Sequence, residues 1–213
     1  IYLLEEKKTP PSTITAVTFT NKAAAEMRER LTCYFGNKRM ANAMTIGTFH
    51  AICLQLLKKR DQNVALIGEY EALDLASQVI REMELKISPK QFISEVSKQK
   101  CLGQSELSPE ADDTYNAHLR EMGALDFDDL LLRTLDLWES GQPDKKASKG
   151  FSHLLVDEFQ DVSDVQYRLI QAWSRLGQSL FVIGDPDQSI YGFRGASAAC
   201  FDELRADFPE LCT

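Results

Sequence analysis

The sequence predicts an α/β fold, a parallel sheet with helices on both faces, interrupted by an inserted all-helical subdomain. Three observations carry this. Short apolar or β-branched runs recur at 14–19, 45–49, 151–156 and 180–184, each bounded by turn-forming residues. Segments of helical periodicity follow them, and near-continuous apolar strands alternating with helices imply a parallel sheet covered on both faces. Between 61 and 121 the strand signals vanish, and amphipathic stretches such as Glu71 to Met83 dominate.

Ile14 to Phe19 follows Pro10-Pro11-Ser12 and stops at Thr20-Asn21, so it reads as a buried strand running into a helix N-cap. Ala24, Met27, Leu31, Tyr34 and Phe35 then recur at helical spacing, and Gly36-Asn37 supplies the stop. Thr45 to Phe49 repeats the pattern as a second strand ending at His50, followed by a helix carrying Ile52, Leu54, Leu56 and Leu57. Ser88-Pro89, Gly103 and Ser108-Pro109 punctuate the helical insertion. A helix over 126–138, a polar linker over 141–150, a strand over 151–156, a helix over 164–176 and a strand over 180–184 complete the chain. The expected division is therefore 1–60 and 122–213 for the sheet domain, with 61–121 inserted.

The 213 residues, 44% of them hydrophobic, suffice for one core carrying an inserted subdomain. No stretch approaches the roughly 20 uncharged apolar residues of a membrane span, and the N-terminus has no signal-peptide pattern. No membrane association and a cytoplasmic location are expected. Cys33, Cys53, Cys101, Cys200 and Cys212 are odd in number, widely spaced and free of any CxxC pair, which argues against a disulfide framework or a zinc site.

A net charge of −8 speaks at first against nucleic acid, but the charge is segregated. Between Asn21 and Arg60 eight Lys or Arg face two Glu, a local balance of +6. From Phe151 to Thr213 ten acids face four arginines, a balance of −6. The pattern suits a phosphate-tracking surface early in the chain and a metal-linked acidic cluster later, although ordinary solvated helix faces also account for it.

In an open parallel sheet, ligands sit beyond the carboxyl ends of the strands. That edge would gather the Thr18–Lys22 loop, the Thr48–His50 loop, Asp157-Glu158 and Asp185. Adjacent carboxylates at a strand end permit divided labour: Asp157 holds magnesium while Glu158 orients or deprotonates a water attacking a γ-phosphate. Alone, Asp-Glu after an apolar strand reads equally as a helix cap. The following Gln160-Asp161 and the 184–196 segment shift the balance towards chemistry. Gln188 carries an amide able to report whether a γ-phosphate is present. Tyr191 and Phe193, placed around Gly192, and Phe19 are candidate stacking faces for unpaired bases, with burial in the core as the alternative.

Five segments together resemble the motifs of the UvrD/Rep (PcrA-like) superfamily 1 DNA helicases, in the family's order: Thr18-Phe19-Thr20-Asn21-Lys22-Ala23-Ala24, Thr45-Ile46-Gly47-Thr48-Phe49-His50, Asp126-Phe127-Asp128-Asp129-Leu130-Leu131, Val156-Asp157-Glu158-Phe159-Gln160-Asp161 and Gly184-Asp185-Pro186-Asp187-Gln188-Ser189-Ile190-Tyr191-Gly192-Phe193-Arg194-Gly195-Ala196. The resemblance implies a RecA-like (P-loop NTPase type) domain 1A interrupted by a helical domain 1B. It implies an ATP- and Mg2+-dependent motor moving 3′ to 5′ on single-stranded DNA in repair, replication or recombination. The implied setting is the cytoplasm, in association with the nucleoid. Asp157 would match the magnesium-associated acid, Glu158 the hydrolytic base, and Gln188 the γ-phosphate contact, with Asp185 beside the nucleotide. Phe19, Asn21, Lys22, Thr48, His50, Tyr191, Phe193 and Arg194 would fall on or near the single-strand path. Where relatives commonly have Trp before Arg-Gly-Ala, this chain has Phe193, a smaller stacking face.

The implied partners are single-stranded DNA, single-strand/duplex junctions and a second RecA-like domain of the same protein. The family's GxxxxGK[ST] phosphate loop has no counterpart, since no Gly-Lys pair occurs anywhere in the sequence. The expectation is a helicase fragment that binds ATP and Mg2+ weakly or not at all and hydrolyses ATP poorly alone. The alternative is a non-catalytic module that binds single-stranded DNA, or docks on a partner, with a helicase-like fold. A metal-dependent nuclease using Asp157, Glu158 and Asp161 is a third reading, but it leaves Gln188 and the aromatic segment without a job.

Overall fold

The computed structural model of the chain describes residues 1–141, 143, 145–175, 177–188 and 200–212. After the short α1 (Tyr2–Glu5), β1 spans Ile14–Val17, and all four of its residues are buried. The Thr20 hydroxyl accepts from the Ala23 N–H at 3.1 Å and so starts α2 (Asn21–Phe35), which ends at Gly36 in the left-handed conformation, φ +62°. Asn37 caps the two-turn α3 (Lys38–Ala43) in the same way, with Oδ1 accepting from the Arg39 N–H at 2.8 Å. β2 (Thr45–Gly47) leads into α4 (Phe49–Arg60), whose first turn donates the Ala51 N–H to Thr48 Oγ1 at 3.2 Å.

Beyond α4 come β3 (Ala65–Leu66), α5 (Glu69–Glu82), α6 (Pro89–Leu102) and α7 (Pro109–Glu121). The predicted punctuation does its work here: Ser88 and Ser108 accept from the Gln91 and Ala111 N–H groups, and a proline opens each helix. β4 (Ala124–Leu125) precedes α8 (Phe127–Glu139), whose start is fixed reciprocally. Asp126 Oδ1 accepts from the Asp129 N–H at 2.9 Å, and Asp129 Oδ2 accepts from the Asp126 N–H at 3.3 Å. The chain ends with α9 (Lys145–Gly150), β5 (His153–Val156), α10 (Asp164–Ser174), β6 (Ser179–Val182) and α11 (Cys200–Asp207).

These elements form two compact units, Ile1–Ile52 with Leu135–Thr213, and Cys53–Thr134. In the first, four parallel strands lie in the order β2-β1-β5-β6. Ala16, Ala24 and Ile46 pack with Met27, Leu31, Met44 and Leu155 where α2 covers the sheet. An aromatic cluster forms around Trp173 of α10: Phe151 stacks on it with centroids 4.6 Å apart, Phe49 at 5.9 Å, and Trp138 meets it edge-on at 6.4 Å. In the second unit, Leu75, Val79, Phe92, Val96, Ala111, Tyr115 and Leu119 of α5, α6 and α7 make a separate core.

Three expectations need correction. The stretch 141–150 is not only a polar linker, because Lys145–Gly150 closes into α9; its lysines and lack of apolar periodicity hid a helix too short to show a repeat. The helical unit carries a strand pair, with Ala65 opposite Ala124 and Leu66 opposite Leu125, too brief for a period-2 signal. Finally, the apolar pattern of β6 predicts cover on both faces, yet Phe181 and Ile183 are each 55% exposed, as suits the outermost strand.

Inside the helical unit, the Lys100 ammonium sits 2.7 Å from Asp126 and 2.9 Å from Asp129, with the lysine side chain 7% exposed. Burial alone would lower its pKa, but the two carboxylates more than offset that and hold it above the ordinary lysine value. Burial raises Asp126. Lys100→Met therefore leaves two partly buried carboxylates without their cation, and a loss of about 3–5 kcal/mol is expected in thermal unfolding at neutral pH. Since the folded-state pKa of Asp126 lies above its unfolded value, the folded variant takes up the proton first. Its deficit should shrink as pH falls through the carboxylate range.

Candidate functional site

Parallel pairing brings the carboxyl ends of all four strands to one edge, and the ladder continues a step beyond the strands. Thr18 N–H donates to the Gly47 carbonyl at 2.9 Å, Asp157 N–H to Val17 at 3.0 Å, and Ile183 N–H to Val156 at 2.8 Å. The residues following β1, β2, β5 and β6 therefore start from a common, hydrogen-bonded line. On it stand Phe19, half-buried at the end of β1, and Asn21 and Lys22, exposed in the first turn of α2. Thr48 and His50, both half-buried, flank the start of α4. Asp157 follows β5, and Asp185 and Gln188 follow β6. Tyr191, Phe193 and Arg194 lie outside the described residues.

Asp157 is half-buried, and its Oδ1 accepts from the Glu158 N–H at 3.1 Å. Its Oδ2 has no partner among the described residues, so one hard oxygen donor is left at the strand end. Among the described residues no three His, Cys, Asp or Glu side chains are grouped to hold a metal. A magnesium ion here would therefore depend on Asp157 together with oxygens from a bound phosphate group, a division that suits this cation. The donor chemistry fits.

Glu158 adopts the left-handed conformation, φ +53°, ψ +46°, which non-glycine residues rarely take. This kink at the end of β5 leaves the Glu158 side chain exposed, while the next residues close into a single helical turn, Phe159–Asp161, with Phe159 and Gln160 fully buried. Gln160 Nε2 donates to Glu158 Oε2 at 2.6 Å, and Gln160 Oε1 accepts from the Asp185 N–H at 3.0 Å. The loop after β6 is ordered by its own acid: Asp185 Oδ1 accepts from the Asp187 N–H at 3.0 Å and Oδ2 from Gln188 Nε2 at 2.7 Å. Gly184 lies so close to this turn that a Cβ there would stand 2.6 Å from Gln160 Oε1 and 3.0 Å from the Phe159 nitrogen.

Gln160 and Gly184 were not among the residues singled out as functional. The glycine between an apolar strand and Asp185 was the available signal, since such a glycine often marks close backbone approach. Gln160 stands in the sequence only as the neighbour that favours chemistry at Asp157-Glu158; its bond to Asp185 leaves no signal there, because that partner lies 25 residues away in another loop.

A family model described as "UvrD/REP helicase N-terminal domain" matches residues 1–209. The ATP-dependent DNA helicase PcrA of Staphylococcus aureus (strain Mu50 / ATCC 700699) is 33% identical over 236 aligned residues, which cover 100% of this chain and 32% of that protein. PcrA of Leuconostoc citreum is 32% identical, covering 100% of this chain and 31% of its own length. This chain thus spans 31–32% of the length of these curated relatives. With the motifs in order, four of them at the carboxyl ends of the parallel strands, and the family match running over residues 1–209, the chain belongs to the UvrD/REP helicase N-terminal domain family.

Proposed function

We propose that this chain is the nucleotide- and DNA-handling part of an ATP-dependent DNA helicase that moves 3′ to 5′ along single-stranded DNA in repair, replication or recombination. The observation that carries the reading is the hydrogen-bonded line of strand ends, which places acidic residues, an amide and the loops of the basic segment side by side. PcrA, by its name an ATP-dependent DNA helicase, supports the choice of nucleotide and polymer.

Asp157 would hold magnesium through Oδ2, and magnesium when bound offsets charge on the phosphate oxygens. Glu158, with one oxygen on Gln160 and Oε1 without a partner among the described residues, orients the attacking water and takes its proton at Oε1. Gln188 senses the γ-phosphate, and Asp185, which accepts from its amide, fixes the direction in which it points. Phe19, Asn21, Lys22, Thr48 and His50 line the route of the strand, with Tyr191, Phe193 and Arg194 contributing from the segment after Gln188. The RecA-like domain would work against a second one in the same protein. Single-strand/duplex junctions are its substrates, and its place is the cytoplasm, at the nucleoid.

In the full-length protein, Glu158→Gln is expected to retain nucleotide binding and to lower single-strand-stimulated ATP hydrolysis by about 10²–10⁴-fold. Turnover within twofold of the parent removes the base from Glu158. Lack of turnover in both proteins, with single-strand binding intact, supports the non-catalytic module instead.

The DNA path has its own test. Phe193→Ala should weaken single-strand binding by about 1–3 kcal/mol with little dependence on sequence, as loss of a stacking face does. Lys22→Ala should reduce the slope of log affinity against log salt by about 0.7. Titrations at several salt concentrations separate the two, and an unchanged slope for Lys22→Ala makes that lysine a solvated surface group.

A further inference from the structure

We propose that Gln160 is a positioning residue that sets the carboxylate of Glu158 according to the state of the loop after β6; the inference rests on the assignment of Glu158 as base. Gln160 is 2% exposed, and both ends of its amide are engaged. Nε2 donates to Glu158 Oε2 at 2.6 Å, a short charge-assisted bond, while Oε1 accepts from the Asp185 backbone at 3.0 Å. From Asp185 the connection runs through its own carboxylate to Gln188 Nε2 at 2.7 Å. A continuous path of hydrogen bonds therefore joins the base, Glu158, to the phosphate-sensing amide, Gln188, across the ends of β5 and β6.

The path has little slack. Glu158 sits in a left-handed conformation, so its side-chain direction is not set by ordinary backbone preference and needs an outside hold. Gly184 leaves no room for a Cβ beside Gln160 Oε1, and any outward shift of the 184–188 loop takes the Asp185 N–H with it. When that loop moves, the amide loses its acceptor-side anchor, and Glu158 loses the donor that points its free oxygen at the water. Both ends of the Gln160 amide are held by protein groups. It acts on turnover through Glu158.

The test uses Gln160→Met, which removes both amide contacts at similar length, and Gln160→Glu, which keeps an acceptor for the Asp185 N–H but cannot donate to an ionised Glu158. Both are made in the full-length protein, alone and combined with Glu158→Gln. The expected result is a fall of about 100-fold in single-strand-stimulated kcat, the size of effect a small misplacement of a catalytic group produces. The KM for ATP should stay within about threefold, and neither change should lower the residual rate of Glu158→Gln further. Turnover within twofold of the parent in both single variants overturns the inference. So does a loss that raises KM equally or adds fully to that of Glu158→Gln, because Gln160 would then be a structural group only. Should Glu158→Gln itself keep normal turnover, the base assignment fails first, whatever the Gln160 variants do.

Discussion

The parallel register of β1 and β5 is the constraint from which the rest follows. Val17 pairs with Val156, and the next hydrogen bond, from the Asp157 N–H to the Val17 carbonyl, brings the turn after β5 level with the loop after β1. Neighbouring pairs repeat this on each side, with Val17 beside Gly47 and Val156 beside Val182. In an antiparallel sheet successive strand ends would point in opposite directions, and the same four loops would be divided between two edges. The site is thus a product of strand direction before it is a product of any single side chain.

Around that line the structure spends its unusual local features in one place. A glutamate in the left-handed region, a glycine with no room for a Cβ and a fully buried glutamine lie within two turns joined by the Asp185–Gln160 hydrogen bond. Each is costly or restrictive alone. Together they leave one carboxylate oxygen held and the other without a partner among the described residues, which is the arrangement a water-activating group requires. Phe159, the first residue of the buried turn, meets Phe201 of α11 edge-on at 5.1 Å and Tyr167 of α10 at 6.1 Å, which ties the turn to the helices behind it.

Much of the fold was legible because strong signals coincided. Thr20, Ser88 and Ser108 announced helix starts, Gly36 and Gly103 the stops, and the apolar runs of β1 and β5 the buried strands. Where pattern and length were both short, the sequence was silent. Two residues cannot establish alternation, so the ladder of Ala65–Leu66 with Ala124–Leu125 left no trace, and six residues of lysine-rich chain did not announce α9. Asp157, Glu158, Asp185 and Gln188 stand out in the sequence as candidates because their chemistry is carried by residue type. Gln160 is marked there only as their neighbour. Its part depends on a partner supplied by a different strand, and such a pairing exists only once the sheet has formed.

The insertion between the halves of the sheet also bears on how the chain reaches its fold. β1 finds β2 a short distance along the chain, but its pairing with β5 joins Val17 to Val156 and encloses the whole of the Cys53–Thr134 unit. Closing so long a loop over a disordered chain carries a large entropy cost and slows folding. The enclosed unit has its own core and mostly helical, local contacts, which form early and quickly. Once compact, it shortens the span that β1 and β5 must bridge. The separate core at Phe92 and Tyr115 thereby contributes to the rate at which the sheet can close.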